Sequence, residues 1–278
     1  MPKTVLITGC SSGIGKAAAI YFAERGWNVA ATMRTPTSAD SLSNYENISV
    51  IALDVESSVS IESAVNEALK DFGEIDVLIN NAGYGLYGIF EALSREQIAH
   101  QFAVNVFGVM DVCRAVLPHF RSRKNGTIVN VSSGAGIVAV PLLSAYCSSK
   151  FALEGFSEGL YYELASQNIR VKILEPGSVG DTEFSGRSVS ALSAQHSIPD
   201  YDQFVESSLK RLGDLADPNV ASSDQMAAAI FTAATDGTHQ LRYLPSQDIL
   251  PLVAARRETS EEAYMDFMRE RFMPAVGD

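Results

Sequence analysis

Short runs rich in β-branched residues alternate with longer stretches of helical period along most of the chain. The runs are KTVLIT, WNVAAT, ISVIAL, IDVLIN, GTIVNVS, RVKILEP and QLRYLP, with helical stretches from about Ile14, from about Val59 and after Tyr146. Strands that alternate with helices need βαβ crossovers, which make the strands parallel and cover both faces of the sheet. This predicts an α/β, doubly wound architecture: a seven-stranded parallel sheet with helices on both faces, in one domain over residues 1–278. Of the 278 residues 46% are hydrophobic, enough for the core that a sheet covered twice demands.

Two segments break the alternation. Residues 183–218 are rich in Ser, Asp and Gln and carry few apolar anchors. They follow the sixth run, where a parallel sheet presents its active edge, so a mobile substrate lid is expected there. The tail after Pro251, VAARRETSEEAYMDFMRERF, reads as one charged helix within about 251–273. Its apolar stripe of Tyr264, Phe267, Met268 and Phe272 is expected to pack on the domain or on a second subunit.

Composition narrows the function classes. A net charge of −12 excludes sequence-independent nucleic-acid binding, and RSRK at 121–124 reads as a solvated turn after a helix. Cys10, Cys113 and Cys147 match neither a disulfide framework nor a zinc site, which points to a reducing compartment. No apolar run approaches the length of a membrane span, and the first strand begins too early to leave room for a signal peptide. The expectation is a cytoplasmic protein. The four histidines are scattered without ligand spacing, so no metal is expected.

The first run leads directly into TGCSSGIG at 8–15, a Gly-rich turn that opens a helix. Gly9 permits the tight turn, Gly13 lets the backbone approach a pyrophosphate, and Gly15 allows close packing of helix on strand. A helix N-terminus adds free N–H groups and a partial positive charge. Further along, YCSSK at 146–150 places Tyr146 and Lys150 four residues apart on one helix face, so phenol and ammonium share one volume.

Together these residues resemble the short-chain dehydrogenase/reductase family. Its marker TGxxxGxG is matched by Thr8, Gly9, Gly13 and Gly15. NNAG at 80–83, Asn105 within FAVNVFG, NVSSGAG at 130–136, YCSSK at 146–150 and PG at 176–177 follow in the family's order across about two thirds of the chain. The resemblance implies a Rossmann-type fold with Tyr146 as proton donor or acceptor, Lys150 as its activator and a ligand of the nicotinamide ribose, and Ser133 as the substrate-orienting hydroxyl. Asn105 is the implied relay, its main chain holding a water between Lys150 and solvent. A nearby cation and an oxidised nicotinamide are expected to bring the Tyr146 pKa down toward operating pH. Ser133 is preferred to Ser132 because it lies thirteen residues before the tyrosine. A buried Asn105 amide inside a long helix needs partners and bends the helix locally.

The same resemblance assigns the dinucleotide to Gly9, Ser11, Ser12, Gly13, Ile14 and Gly15, with Asp54 and Val55 at the adenine. Asn81, Ala82 and Gly83 line the middle of the groove; Pro176 and Gly177 close over the nicotinamide, with Val179 at the carboxamide. Asp54 also reads as the N-terminal cap of the next helix. At the end of the second strand Met33 stands where a carboxylate would bond a ribose 2′-hydroxyl, and Arg34 follows. A guanidinium suits a 2′-phosphate, so NADP(H) is the expected cofactor. The match weakens after the sixth strand: Glu175 replaces the Asn of many relatives, and Thr182 lies one residue farther from Pro176 than the family's PGxxxT, which leaves its contact with the nicotinamide open.

The resulting expectation is an NADP(H)-dependent oxidoreductase interconverting a ketone or aldehyde with an alcohol. TGCSSGIG and ATMR look like relatives of hydroxysteroid and retinol dehydrogenases, which implies a bulky, apolar carbonyl or alcohol substrate. The family also implies a homo-oligomer. A sugar-nucleotide epimerase or dehydratase would carry TGxxGxxG instead. A non-catalytic NADP(H)-binding sensor would keep the Gly-rich turn and lose Tyr146 and Lys150.

Overall fold

The computed structural model describes residues 2–38, 41–182, 198–215 and 220–273. Seven parallel strands pair in the order β3-β2-β1-β4-β5-β6-β7. They are β1 (Thr4–Thr8), β2 (Asn28–Met33), β3 (Ile48–Ala52), β4 (Val77–Asn80), β5 (Gly126–Val131), β6 (Ile169–Leu174) and β7 (Arg242–Tyr243). The winding reverses between β1 and β4, so a crevice opens beyond their C-terminal ends.

Strand residues alternate between two buried faces. Val5, Ile7, Val29, Ala31, Ile79 and Val129 pack under α1 (Gly13–Ala23) and α7 (Ser223–Thr235) with Phe22 and Ile230. Leu6, Ala30, Leu78 and Ile128 face α2 (Ser58–Phe72), α4 (Gly108–Arg123) and α5 (Ser144–Ala165), against Val112, Val116, Phe120 and Leu153. Each fully buried aliphatic side chain of this kind contributes about 1.5–3 kcal/mol. The helices also carry their own stops and starts. Ser57 caps α2 by accepting from the Ser60 amide, and Gly73 ends it at φ +80°.

Helix α3 (Arg95–Phe102) continues into α4 through a single π-helical turn, Ala103–Phe107. The continuous helix Arg95–Arg123 is 29 residues long and, against expectation, long and apolar enough to cross a membrane. Val109, Val112, Cys113, Val116 and Phe120 instead bury its apolar face on the sheet.

The edge strand β7 has two residues, pairs with β6 through its backbone and is braced by a side chain. Lys172, 1% exposed on β6, donates to the carbonyls of Thr238 and Gln240 (2.9 Å each) and to Tyr243 Oη (2.9 Å), and pairs with Asp236 at 3.2 Å.

The C-terminal region differs from expectation. The tail forms two helices, α8 (Leu250–Glu258) and α9 (Glu261–Phe272), because Ser260 caps a new helix by accepting from the Ala263 amide. Tyr264, Met268 and Phe272 are buried with Leu252 and Val253 against Ile137 and Val138, while Phe267 is half-buried at the edge of this cluster. Of the expected lid, residues 183–197 and 216–218 lie outside the described residues. Its middle is a helix, α6 (Asp202–Asp214), rather than a polar loop. Leu212 and Leu215 join the tail cluster, and the Arg211 guanidinium donates to the Glu270 and Arg271 carbonyls at 2.7 and 2.8 Å.

Candidate active site

The Gly-rich turn lies at the crevice. Gly9 has φ +77°, and a Cβ there would stand 2.9 Å from Ala82 Cα, so only glycine fits both the turn and its neighbour. Thr8 and Asn81 tie the turn to β4: Thr8 Oγ1 accepts from the amides of Asn81 and Ala82 at 3.0 Å each, and Asn81 Nδ2 donates to the Thr8 and Gly9 carbonyls at 2.9 and 3.2 Å. The Cys10 amide, bonded to the Thr32 carbonyl, secures the other side.

Ser12 occupies the N-cap of α1 in extended conformation, and its side chain makes no capping bond. The first turn of α1, with Ile14 and Gly15, contains no acidic residue. Its N–H groups and the positive end of the helix dipole therefore face the crevice with no competing carboxylate, which fits a pyrophosphate. Ser11 is exposed on the same turn. Thr182 closes the far side: its Cγ2 would lie 3.3 Å from a Cβ on Gly13, and its hydroxyl donates to the Val179 carbonyl at 3.2 Å. The displaced threonine thus still borders the Gly-rich turn.

The other expected cofactor contacts spread along the same edge. Arg34 is exposed beyond the end of β2. Asp54 follows β3, accepts from the Glu56 amide at 3.1 Å and is not a helix cap, since Ser57 has that role. Val55 lies where a Cβ on Gly108 would come within 2.8 Å of its Cβ, so it packs directly on α4. Pro176 is buried, while Gly177 and Ser178 are gripped from beyond β7: the Gly177 amide donates to Ser246 Oγ at 3.0 Å and the Ser178 amide to Asp248 Oδ2 at 2.8 Å. Val179 bridges to Ala221. Ser246 and Asp248 were not legible in the sequence, because no local pattern links them to the Pro-Gly turn.

Asn105 occupies the π turn. Its amide donates to the Tyr84 carbonyl (2.9 Å) and Ser149 Oγ (3.2 Å) and accepts from the Tyr84 amide (3.1 Å). One turn earlier, Gln101 donates to the same carbonyl at 2.9 Å and accepts from the Leu86 amide at 2.7 Å. Two side-chain amides thus supply the backbone of 84–86 with the partners a neighbouring strand would give. The Asn105 Oδ1 also stands 3.2 Å from a Cβ position on Gly83.

Ser133, Tyr146 and Lys150 converge where β5 ends against α5. Ser133 accepts from the Ala135 amide at 3.1 Å and hydrogen-bonds the Tyr146 hydroxyl. Lys150 donates to the Val131 carbonyl at 2.9 Å, its Nζ 5.9 Å from the centre of the Tyr146 ring. Ser132, by contrast, is buried toward Gly136. Tyr146 packs with Leu143, Cys147, Tyr87, Ala135 and Val140. This burial pushes the phenol above its ordinary range, with the Ser133 bond acting against it. The expected fall is therefore not produced by the chain's own residues: desolvation of a phenolate outweighs them. Burial likewise brings the Lys150 ammonium down to about 8, and Glu154 works in the opposite sense.

Residues 3–192 match the family model described as short chain dehydrogenase. The chain belongs to the short-chain dehydrogenase family. The chain is 38% identical over 207 residues to 3-ketodihydrosphingosine reductase of Bacteroides thetaiotaomicron, covering 74% of each chain. It is 41% identical over 201 residues to retinol dehydrogenase 8 of Bos taurus, covering 69% of this chain and 64% of that one. Its fold matches a short-chain dehydrogenase from Streptomyces avermitilis with a TM-score of 0.82 at 29% identity, covering 97% of both chains. Similar structures hold either dinucleotide. ElxO (TM-score 0.72, 27% identity, 88% of this chain and 98% of that one) has NADP bound. The 3-ketoacyl-(acyl-carrier-protein) reductase from Brucella melitensis (TM-score 0.72, 27% identity, 89% and 98%) is complexed with NADH. The protein is accordingly an oxidoreductase of a family whose members include structures with NADP or NADH bound.

Proposed function

We propose that the protein is an NADP(H)-dependent carbonyl reductase or alcohol dehydrogenase with Tyr146 as its general acid and base. The observation that carries this reading is the meeting of Ser133, Tyr146 and Lys150 at the end of β5, beside the crevice of the Gly-rich turn. Gly9, Ser11, Ser12, Gly13, Ile14 and Gly15 would hold the pyrophosphate, Asp54 and Val55 the adenosine, Asn81, Ala82 and Gly83 the central groove. Pro176, Gly177, Val179 and Thr182 would border the nicotinamide. Arg34, beyond β2, supports the 2′-phosphate and hence NADP(H).

The bound dinucleotide supplies or accepts the hydride. The protein's part is to orient the carbonyl and manage a proton. Ser133 and Tyr146 aim two hydroxyls at one substrate oxygen, and Tyr146 gives its proton to that oxygen as negative charge develops there. A phenol that burial keeps protonated is in the form needed for reduction. Lys150 stabilises the phenolate left behind. Tyr87, Leu143 and Cys147 exclude water and favour an apolar substrate, in keeping with the ketosphingoid and retinol substrates named for two relatives.

Exposed Phe107 at the end of the π turn, with Phe151 and Tyr162 on α5, supports a homo-oligomer, which light scattering would size. The three buried free thiols support a reducing, cytoplasmic setting. A panel of apolar ketones and aldehydes, assayed by loss of NADPH absorbance against NADH, tests the main reading. Turnover with NADPH is expected; none with any carbonyl or alcohol would overturn it.

A further inference from the structure

Tyr146, Lys150, Glu154 and Glu158 recur every fourth residue on α5 and form one row along it. Lys150 and Glu154 are 6% and 7% exposed, so neither charge is met by bulk water. Gly136 lies over the middle of the row: a Cβ there would stand 3.0 Å from Glu154 Cγ, 3.2 Å from the Lys150 carbonyl and 2.8 Å from Ser132 Oγ. Absence of a side chain at Gly136 is what lets Lys150 and Glu154 sit against the end of β5.

Glu154 is in turn held from outside α5. Arg242 on β7 meets Glu154 Oε2 at 3.2 Å, Glu158 Oε2 at 2.6 Å and Glu175 Oε1 at 3.4 Å. Arg257 on α8 takes Glu175 Oε1 at 3.1 Å. Three cations and three carboxylates therefore alternate inward from the C-terminal helices to the catalytic row: Arg257, Glu175, Arg242, Glu154 with Glu158, and Lys150. At the other end of the row, the titratable groups packed with Tyr146 among the described residues are Tyr87 and Cys147. Lys150 itself donates to the Val131 carbonyl at 2.9 Å. Glu154 is thus the one carboxylate in the row next to Lys150.

We propose that Glu154 is a positioning residue of the reaction: its carboxylate keeps Lys150 an ammonium beside Tyr146, and Arg242, braced by the Glu175–Arg257 pair, keeps that carboxylate charged and in place. A buried ammonium without an opposite charge sheds its proton at lower pH, and a neutral amine no longer stabilises a phenolate. The proposal rests on the catalytic reading of Tyr146 and Lys150, but Glu154 touches neither substrate nor cofactor and acts through Lys150.

Glu154→Gln keeps the side chain's size and removes its charge. In protein labelled with 13C at lysine Cε, the Lys150 resonance, assigned with Lys150→Arg, is expected to titrate at least about one pH unit lower in Glu154→Gln than in the wild type. With an accepted ketone, the alkaline limb of the kcat profile should move by the same amount while KM for the dinucleotide changes less. An unchanged Lys150 midpoint in folded Glu154→Gln overturns the proposal. The wild type gives an independent reading: its Lys150 resonance should show a second inflection as Glu154 titrates, and a single inflection overturns the proposal even if the variant fails to fold. The resonance reports whether or not any carbonyl is reduced, so its failure is separate from failure of the proposed activity.

Discussion

Thr8 and Asn81 hold each other across the mouth of β1 and β4: the Thr8 hydroxyl accepts from the Asn81 amide at 3.0 Å, and the Asn81 side chain donates to the Thr8 carbonyl at 2.9 Å. The turn that would cradle phosphate is therefore fastened to the strand on the other side of the crevice. Asn81→Ala leaves the Thr8 and Gly9 carbonyls short of a donor. The cost is expected at about 1–3 kcal/mol in stability, with a further loss of dinucleotide affinity. Urea unfolding and fluorescence titration read the two effects; a variant as stable as the wild type would show that the clasp contributes nothing.

Arg34 decides the dinucleotide. Arg34→Ala is expected to weaken NADPH binding by roughly 1.5–3 kcal/mol, one to two powers of ten, and to leave NADH nearly unchanged. Calorimetric titration of both dinucleotides checks this. Equal loss for the two would place the 2′-phosphate elsewhere.

Tyr146→Phe removes one hydroxyl from a packed site and leaves the ring in its cluster. Dinucleotide binding should persist while single-turnover reduction falls by about 10²- to 10⁴-fold, the range for a positioned general acid. Near-normal turnover would falsify the catalytic role of Tyr146 and favour a binding protein.

Glu175 ties stability to pH. Burial first, and then the charge of Glu154, raise its carboxyl from 4.5 to about 7, against the pull of Arg257 and Arg242. Between these two values the folded protein holds a proton that the unfolded chain has released, so Glu175 makes stability fall as pH rises through that window. Glu175→Gln lacks this titration. Its stability relative to the wild type should climb from about pH 4.5 to about pH 7 and then level off, as followed by urea unfolding at a series of pH values. A constant difference across the window would rule out the linkage.

The sheet and the Gly-rich turn were legible because they are written locally. Val5, Leu6 and Ile7 are apolar on consecutive positions because both faces of β1 are covered. The expected QLRYLP strand pairs over only Arg242 and Tyr243, and the turn before it is gathered by Lys172, a buried lysine that nothing in its neighbourhood announces. Helix α6 was read as loop because the polar stretch around it carries few apolar anchors; Leu212 finds its cluster on α8 and α9. The Tyr146–Lys150 spacing was visible, but the sign of the phenol's shift was not. It depends on burial among Tyr87, Leu143 and Cys147, residues brought together only by the fold. The same holds for the ion network, whose members come from α5, β6, β7 and α8.

The π turn at Ala103–Phe107 has a consequence for how this helix can change length. Gln101, Asn105 and Val109 are all buried at intervals of four, whereas eight residues of regular α-helix overshoot two full turns by about 80°. The wider turn absorbs that angle, so the amides that grip 84–86 and the valines that meet the sheet keep a common phase. Forcing the same residues into an unbroken α-helix would restore that angle and rotate one half by about 80° against the other. Either Gln101 would leave Tyr84 or Val109, Val112 and Val116 would leave the sheet. The segment therefore behaves as a vernier: removing one residue inside the turn would close it to plain α-helix with both halves within about 20° of their present phase, whereas a further insertion would throw them out of step.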